Sequence, residues 1–263
     1  DLHDVAALAS LVEGADTVVH IAGAISAAST DEFMKANRDG TANVATAAVN
    51  AGVGRFIHVS SLSAREPGLS SYGASKRAGE DALREVASGK MKWVIVRPPA
   101  VYGPGDKATL PLLKALLQRY AILPGRADAR FSMIYADDLA AAIVALIGND
   151  KLDGTVVELD DGAKEGHSWA ELASTASKLV GRPVKPVFLP QFALNCLAGI
   201  VTAAARATGA TPMLSAGKVR ELYHRDWRCK ERRLQDGGIW QPEVNFAEGF
   251  KKTLGWYKEH GWL

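Results

Sequence analysis

Residues 55–61 are RFIHVSS, a run rich in apolar residues that ends in two serines. The run predicts a strand, because β-branched and aromatic residues favour extended backbone. Residues 72–87 have the pattern of a helix, and Gly89 is typical of a helix C-terminus. Residues 92–96, KWVIV, predict another strand, which the following prolines end. A strand, a helix and a strand of these lengths form a right-handed βαβ unit, so the two strands lie parallel in one sheet.

The same alternation precedes this unit. Residues 17–21 predict a strand that ends at Ala22 and Gly23, and residues 31–51 predict a helix that Gly52 closes. The strands are nearly continuous in apolar residues, which suits a sheet covered by helices on both faces. We therefore predict an α/β fold with a doubly wound parallel sheet.

The regular alternation of predicted strands and helices ends after Tyr102. Residues 110–117 and 138–147 predict helices, and residues 155–159 predict one more strand. Ser168-Trp169-Ala170-Glu171 has the spacing of a capping box and should open a helix. The remainder is predicted to be mostly helical, with one apolar stripe formed by Phe246, Phe250, Leu254 and Tyr257.

These elements suggest two units. We interpret residues 1–160 as the sheet domain, with residues 103–133 contributing partly to a second lobe. Residues 161–263 would form a smaller, mostly helical C-terminal lobe for the substrate. We expect this lobe at the strand ends, where open α/β sheets bind ligands.

The composition narrows the class of function. The chain of 263 residues has a formal net charge of +2 and no basic run interleaved with aromatics, so we expect no nucleic-acid partner. The histidines are scattered and Cys196 and Cys229 lie outside metal-ligand spacing, which predicts no metal site and a reduced, cytoplasmic chain. No signal-peptide pattern is visible. The most hydrophobic stretch, residues 192–205, is shorter than the roughly 20 residues of a membrane span and favours a buried or pocket-lining helix.

The residues that carry chemistry are Ser60, Ser61, Tyr72 and Lys76. Tyr72 and Lys76 are four apart on a predicted helix, so they share one face. A tyrosine ordinarily titrates near pH ~10, and an ammonium group one turn away favours the phenolate. A serine at the end of the preceding strand would hold the substrate oxygen while Tyr72 exchanges its proton. The alternative is an exposed Tyr and Lys on an ordinary helix, with the serines capping a strand end.

Six blocks together resemble the extended short-chain dehydrogenase/reductase family, of the NAD-dependent epimerase/dehydratase type. The resemblance covers residues 1–160 well and the rest loosely. The blocks are Asp1-Leu2, Val19 to Gly23, Asn37 with Gly40-Thr41, Ser60-Ser61 with Tyr72 and Lys76, Arg97 to Gly105, and Ile134 to Ala140.

The resemblance implies a Rossmann-type sheet and a role for each matched residue. Tyr72 would be the general acid/base, Lys76 would lower its pKa and hold the nicotinamide ribose, and Ser61 rather than Ser60 would bind the substrate oxygen. Arg97 would be structural. The cofactor, NAD or NADP, would contact the residues Asp1, Leu2, Ile21, Ala22, Gly23, Asn37, Tyr72, Lys76 and Pro98.

The sequence departs from this family at one point. A glycine-rich turn should open the first βαβ unit and place the pyrophosphate at a helix N-terminus, but no such turn follows a predicted strand. About 55 to 65 residues of the usual domain are expected to be missing. Truncation or disorder, a segment supplied by another chain, and loss of cofactor binding are the alternatives. The residue that separates NAD from NADP would lie in that region.

We predict hydride transfer between NAD(P) and a carbinol or ketone carbon of a small-molecule substrate. The apolar stretch at residues 188–210 favours a hydrophobic substrate. A sugar-nucleotide epimerase or dehydratase would use the same residues, with Arg126, Arg130 and Arg220 as candidates to clamp a diphosphate. A non-catalytic accessory subunit is the third alternative. A homodimer through the helices that contain Asp31 and Tyr72 stays open.

Overall fold

The fold is taken from a computed structural model that describes residues 1–212 and 214–263. Its strands are short and nearly all parallel. In chain order they are β1 (Thr17–His20), β2 (Arg55–Val59), β3 (Lys92–Arg97), β4 (Ala100–Tyr102), β5 (Tyr120–Leu123), β6 (Arg130–Phe131), β7 (Met133–Tyr135), β8 (Thr155–Glu158), β9 (Lys185–Phe188) and β10 (Asp226–Trp227).

Helices connect and cover these strands. They are α1 (Val5–Val12), α2 (Thr30–Met34), α3 (Gly40–Asn50), α4 (Ser71–Ala87), α5 (Leu110–Ala115), α6 (Ala136–Ile147), α7 (Trp169–Val180), α8 (Gln191–Thr208), α9 (Ala216–Leu222) and α10 (Phe246–Glu259). Short 3-10 helices span Leu62–Arg65, Asp150–Leu152 and Leu234–Gly237, and a π-helical turn, Lys35–Asp39, joins α2 to α3.

The central sheet contains four parallel strands in the order β1-β2-β3-β8. Its register places Val19 beside Ile57 and Ile57 beside Val94. Since consecutive side chains of a strand point to opposite faces, Phe56 and Ile57 enter different cores. Phe56 packs with α1, α3 and α4, whereas Ile57 packs with α6. Both faces of the sheet are covered, which confirms the predicted doubly wound α/β fold.

Helix α4 begins at a well-formed N-cap and lies close to the π-helical turn. Ser70 is the N-cap, and its Oγ accepts a hydrogen bond from the Gly73 amide at 2.9 Å. At Gly79 a Cβ atom would lie 2.5 Å from the carbonyl oxygen of Asn37. Only glycine therefore permits this approach between α4 and the π-helical turn.

A separate core is formed by residues from Tyr102 onward. It contains the predicted stripe of α10 together with buried residues of α5, β5 and α7. A smaller cluster joins α8 to α9 through Leu194, Ala198 and Val219. Leu234 and Trp240 return to the core of the central sheet. The boundary that we predicted at residue 160 stays a prediction.

Most predicted long elements are present, and the differences have physical causes. The helix predicted over residues 31–51 is divided by the π-helical turn. The strand pairs β4-β7, β5-β9 and β6-β10 were not predicted, because strands of two to four residues carry little pattern of their own. The capping box at Ser168 is confirmed, with both of its hydrogen bonds formed.

Candidate active site

The predicted catalytic residues meet where β2 ends against the first turns of α4. Tyr72 and Lys76 lie one turn apart on this helix. The Nζ atom of Lys76 donates a hydrogen bond to the carbonyl oxygen of Val59, the last residue of β2, at 2.9 Å. This bond holds the helix beside the strand that leads into Ser60 and Ser61.

The two adjacent serines have different partners. Ser60 is buried, and its hydroxyl donates to Oε1 of Glu80 at 2.7 Å. Ser61 is partly buried, and its side chain lies near enough to Tyr72 to act on the pKa of the phenol. Its Oγ also accepts a hydrogen bond from the Ser63 amide at 3.2 Å. The arrangement supports the choice of Ser61 over Ser60 as the residue beside the substrate oxygen, and its catalytic role stays a prediction.

The pKa of Tyr72 differs from the expectation. Burial raises the pKa of the phenol above its usual value, and the negative charge of Glu221 acts in the same direction. Ser61 lowers the pKa but does not reverse the shift. Lys76 is not among the groups that shift this pKa, and its role in lowering the pKa of Tyr72 stays a prediction. Tyr72 is therefore a protonated phenol at neutral pH.

Lys76 is also buried, and burial lowers the pKa of its ammonium group to about 8. Glu80 opposes this shift because a nearby carboxylate favours the charged form. Val59 is the single hydrogen-bond partner that the described residues provide for Nζ. The remaining N–H groups of Lys76 are available to a ligand at the strand end.

Asn37 joins three parts of the site. It is buried on the π-helical turn, where its Oδ1 accepts a hydrogen bond from the Ala24 amide at 2.8 Å. Its Nδ2 donates to the Ala24 carbonyl at 3.0 Å and to the Ser75 hydroxyl at 2.8 Å. Asn37 therefore ties the segment after β1 to α4, one residue before Lys76. This geometry suits a supporting role at a cofactor site.

The segment after β1 is open to solvent. Ile21, Ala22 and Gly23 are all exposed. A Cβ atom at Gly23 would lie 2.8 Å from Oδ1 of Asn37 and 3.6 Å from Nζ of Lys76. The backbone of this segment thus approaches Lys76 closely because position 23 is glycine. These three predicted cofactor residues lie beside the predicted catalytic pair.

The other predicted cofactor residues, Asp1, Leu2 and Pro98, already form hydrogen bonds within the protein. Pro98 is buried, and its carbonyl accepts a hydrogen bond from the Leu62 amide at 2.9 Å, so this backbone group is already engaged. The carbonyl of Leu2 accepts from Nδ2 of Asn43 at 2.9 Å, and its side chain packs beneath Gly40. The carboxylate of Asp1 accepts from the His3 amide at 3.0 Å. Their predicted contacts with a cofactor stay predictions.

Glu80 is an important residue that the sequence interpretation missed. It is fully buried and accepts hydrogen bonds from Nε and Nη2 of Arg97 at 2.8 and 2.7 Å. Arg97 has the structural position that we predicted for it. The spacing gave a usable signal, because Glu80 lies four residues after Lys76 and therefore shares its helix face.

Glu221 is a second missed residue. It is buried on α9, where its Oε1 accepts a hydrogen bond from the hydroxyl of Ser70, the cap of α4. Its Oε2 lies 3.1 Å from Nζ of Lys218. Ser70 and Glu221 are 151 residues apart. No local sequence pattern relates residues at that distance, so only the fold reveals the pair.

Two buried histidines lie beneath Lys76. The rings of His20 and His58 stack with their centroids 5.4 Å apart. Burial, with a contribution from Lys76, lowers the pKa of His20 to about 4 and that of His58 well below its usual value. Both are neutral core residues at pH 7.

Within residues 1–212 and 214–263, no group of three or more His, Cys, Asp or Glu side chains is arranged to hold a metal ion. No helix of the described residues has the length and apolar character needed to cross a membrane.

Comparison with known proteins gives consistent matches. The sequence model of the NAD dependent epimerase/dehydratase family matches residues 1–159. A ceramide reductase of Caulobacter vibrioides is 39% identical over 264 residues, which cover 100% of this chain and 80% of that protein. A UDP-glucose 4-epimerase of Vibrio cholerae is 27% identical over 84% of this chain and 68% of that protein.

Solved structures agree in fold. MoeE5 in complex with UDP-glucuronic acid and NAD superposes with a TM-score of 0.72 at 20% identity, covering 99% of this chain and 84% of that chain. At this identity the similarity establishes the Rossmann-type fold and nothing about the substrate.

Proposed function

The chain belongs to the NAD-dependent epimerase/dehydratase family, and on that premise we propose that it reduces a ketone on a long-chain, ceramide-like substrate. It is an enzyme that uses a nicotinamide dinucleotide for oxidoreduction. The observation that carries the proposal is the meeting of Ser61, Tyr72 and Lys76 at the end of β2. The whole-length match to a ceramide reductase supports the substrate class.

The strand-end residues fit the nicotinamide half of the cofactor. The close approach of Gly23 to Asn37 and Lys76 leaves an open backbone edge, and the ammonium group of Lys76 retains N–H donors for ribose hydroxyls. When bound in its reduced form, the cofactor supplies a hydride to the carbonyl carbon.

Tyr72 and Ser61 would act on the substrate oxygen. The phenol of Tyr72 is protonated at neutral pH, so it is ready to donate a proton to the oxygen as hydride reaches the carbon. Ser61 would donate a second hydrogen bond to that oxygen and stabilise its developing negative charge. The ketone gains one hydride and one proton and becomes a secondary alcohol, and solvent then returns a proton to Tyr72.

A sugar-nucleotide epimerase is the second candidate, supported by the UDP-glucose 4-epimerase match. Its diphosphate would need free cationic side chains. Arg126 and Arg130 are paired with Asp128 at 2.8 Å and Glu171 at 2.9 Å. Nε of Arg220 donates to the Leu69 carbonyl at 2.7 Å. Because these three arginines have protein partners, we favour the ketone reductase.

The test is oxidation of NADH and NADPH in the presence of a long-chain N-acyl amino ketone, with UDP-glucose as the competing substrate. We expect turnover of the ketone, and about a 10²–10⁴-fold loss of kcat in Tyr72→Phe. Dinucleotide binding by calorimetry serves as the control, since Tyr72→Phe should retain it. Turnover of UDP-glucose alone would support the epimerase, and failure to bind either dinucleotide would contradict both candidates.

The assembly and the compartment also remain proposals. We propose a cytoplasmic enzyme, in line with Cys196 and Cys229, which are both free thiols. We also propose a homodimer in which α2 and α4 form the contact. Light scattering of the purified protein would measure its mass directly, and a monomeric mass would exclude the dimer.

A further inference from the structure

One segment of the chain carries an unusual charge pattern. No Asp or Glu occurs in residues 172–220, although 29 of the 263 residues of the chain are acidic. The segment contains six basic residues, namely Lys178, Arg182, Lys185, Arg206, Lys218 and Arg220. Lys178, Arg182 and Lys185 are exposed, and none of the three forms a salt bridge within residues 1–212 and 214–263. This part of the protein surface is therefore a source of positive potential.

Helix α8, inside this segment, exposes apolar side chains. Leu194 and Ala198 are buried against α9, whereas Phe192 is 72% exposed and Ile200 is 67% exposed. Phe192, Cys196 and Ile200 follow at intervals of four residues and so share the outer face of the helix. No charged residue occurs from Gln191 to Ala205. A solvent-facing helix normally has polar residues on this face.

The strand pair that precedes α8 has the same character. In β5 and β9 the residues alternate, so Ala121 and Leu123 enter the core while Tyr120 and Ile122 are exposed. Ile122 is paired with the exposed Val187, and Tyr120 is paired with Lys185. Only Leu189 and Pro190 separate β9 from α8. We define the lobe face as the exposed apolar residues of α8, namely Phe192, Leu197 and Ile200. Tyr120, Ile122 and Val187 form a second exposed apolar patch of the same lobe.

We propose that the lobe face docks on the surface of an anionic lipid bilayer, with α8 lying in the plane of the interface. Apolar side chains of a surface helix enter the boundary between headgroups and acyl chains, and nearby basic residues attract anionic lipids. The pattern of the segment supplies both features, an uncharged apolar helix and basic flanks without acidic residues. An exposed apolar surface of this kind marks an interaction site.

The docked orientation connects the bilayer to the catalytic helix. Helix α8 packs on α9, and Glu221 of α9 accepts a hydrogen bond from Ser70 at the start of α4. The membrane-facing helix is therefore one helix away from the helix that contains Tyr72. Docking does not depend on the reaction proposed above, although it would place the site next to lipids.

A second copy of this chain is the competing occupant of the lobe face. A twofold contact would bring the same patch of each copy together. The exposed Lys178, Arg182 and Lys185 would then approach their own copies, with no acidic residue in the segment to offset the repulsion. The charge pattern therefore favours an anionic surface over self-association.

The test is flotation of the purified protein with vesicles of phosphatidylcholine alone or of equimolar phosphatidylcholine and phosphatidylglycerol. We expect binding to the anionic vesicles, much weaker binding to the neutral ones, and release by salt. The double variant Phe192→Asp, Ile200→Asp should bind the anionic vesicles at least about tenfold more weakly than the wild-type protein. Val144→Asp is the matched control, because Val144 on α6 is 65% exposed but lies outside the lobe face.

The outcomes separate the alternatives. Equal loss of binding in Val144→Asp, or unchanged binding in the double variant, would overturn the proposal, as would the absence of wild-type binding. Light scattering identifies the other occupant: a wild-type dimer that the double variant converts to a monomer, without vesicle binding, would assign the face to a second copy. Circular dichroism establishes that each variant is folded. The assay contains neither substrate nor cofactor, so its result is independent of the proposed reaction.

Discussion

At the scale of single residues, Ser60 and Ser61 show how neighbours in sequence acquire different tasks. Ser60 hydrogen-bonds to buried Glu80, whereas Ser61 acts on the pKa of the Tyr72 phenol. We predict that Ser61→Ala lowers kcat by about 10²–10³-fold, because a donor to the reacting oxygen is lost. Ser60→Ala should lower the free energy of unfolding by about 1–3 kcal/mol, because a buried acceptor loses a partner.

Ser60→Ala and Ser61→Ala serve as controls for each other. Steady-state kinetics and urea unfolding of both proteins measure the two effects separately. If Ser60→Ala loses activity at constant stability while Ser61→Ala keeps its activity, the assignment of the two serines is wrong.

Glu221 gives a second prediction at this scale, as a residue that positions and tunes Tyr72. Its negative charge raises the pKa of the phenol, so Glu221→Gln should lower that pKa. Glutamine keeps an oxygen that accepts the hydrogen bond of Ser70, which separates the effect of charge from the loss of the contact. Glu221→Asp, which keeps the charge, serves as the comparison.

Titration of tyrosinate absorbance measures this effect. Subtracting the titration of the matching Tyr72→Phe protein isolates Tyr72 from the other tyrosines. We expect the Tyr72 transition at lower pH in Glu221→Gln and close to the wild-type position in Glu221→Asp. An unshifted transition in Glu221→Gln would leave Glu221 with a purely structural role.

At the scale of elements, α4 depends on a close approach to the π-helical turn. A Cβ atom at Gly79 would lie 2.5 Å from the carbonyl oxygen of Asn37, so Gly79→Ala should force the two segments apart. We predict a loss of about 1–3 kcal/mol in the free energy of unfolding. The movement also shifts Asn37 away from Ser75, so kcat should decrease as well.

Gly255 is the matched control for this change. It also lies inside a helix, α10, but a Cβ atom there would meet no atom within 4 Å. Gly255→Ala should be neutral or should stabilise the protein by up to about 1 kcal/mol, because alanine favours helix over glycine. Equal midpoints of thermal unfolding for Gly79→Ala and Gly255→Ala would show that the close contact at Gly79 does not determine the stability of the protein.

The elements also show what the sequence could and could not predict. Helix α4 was predicted from residue 72 and begins at Ser71, because its periodicity and the glycine after it are local signals. Strand β2 ends at Val59, two residues before the end that we predicted, although the Ser60 amide still donates a hydrogen bond to the Val96 carbonyl of β3 at 2.8 Å. The pairing of β6 with β10 brings Arg130 beside Asp226, and no local pattern encodes such a contact. The link from Glu221 to Ser70 was missed for the same reason.

At the scale of the whole molecule, buried carboxylates of α6 and of the sheet strand β8 tie the C-terminal segment to the rest of the fold. Asp138 accepts hydrogen bonds from the amides of Glu243 and Val244, and Glu158 accepts from those of Lys230 and Glu231. The basic stretch from Arg225 to Arg233 is therefore anchored to the core through its backbone, although its composition is typical of a solvated surface. The C-terminal segment completes the core instead of forming a separate appendage.

The stacked pair of His20 and His58 makes the stability of the whole protein depend on pH. Burial lowers the pKa of His20 to about 4 and that of His58 well below its usual value, whereas both titrate near ~6.5 in the unfolded chain. Below pH ~6.5 the unfolded chain binds protons that the native protein does not. The stabilisation is complete above that pH and is lost as the pH falls toward about 4. Each histidine should contribute about 1.4 kcal/mol per pH unit to the slope.

Urea unfolding at a series of pH values between neutrality and mild acid measures this slope. His58→Phe replaces a ring whose two nitrogens have no hydrogen-bond partner among residues 1–212 and 214–263, so it removes the titration without breaking a bond. We expect a shallower slope in His58→Phe and the wild-type slope in His260→Gln, because His260 is exposed. Acidic residues contribute equally to all three proteins, so the difference in slope isolates the histidine. An unchanged slope in His58→Phe would mean that the histidine pair is charged in the native protein, and the repulsion between His58 and Lys76 would then have to be offset elsewhere in the core.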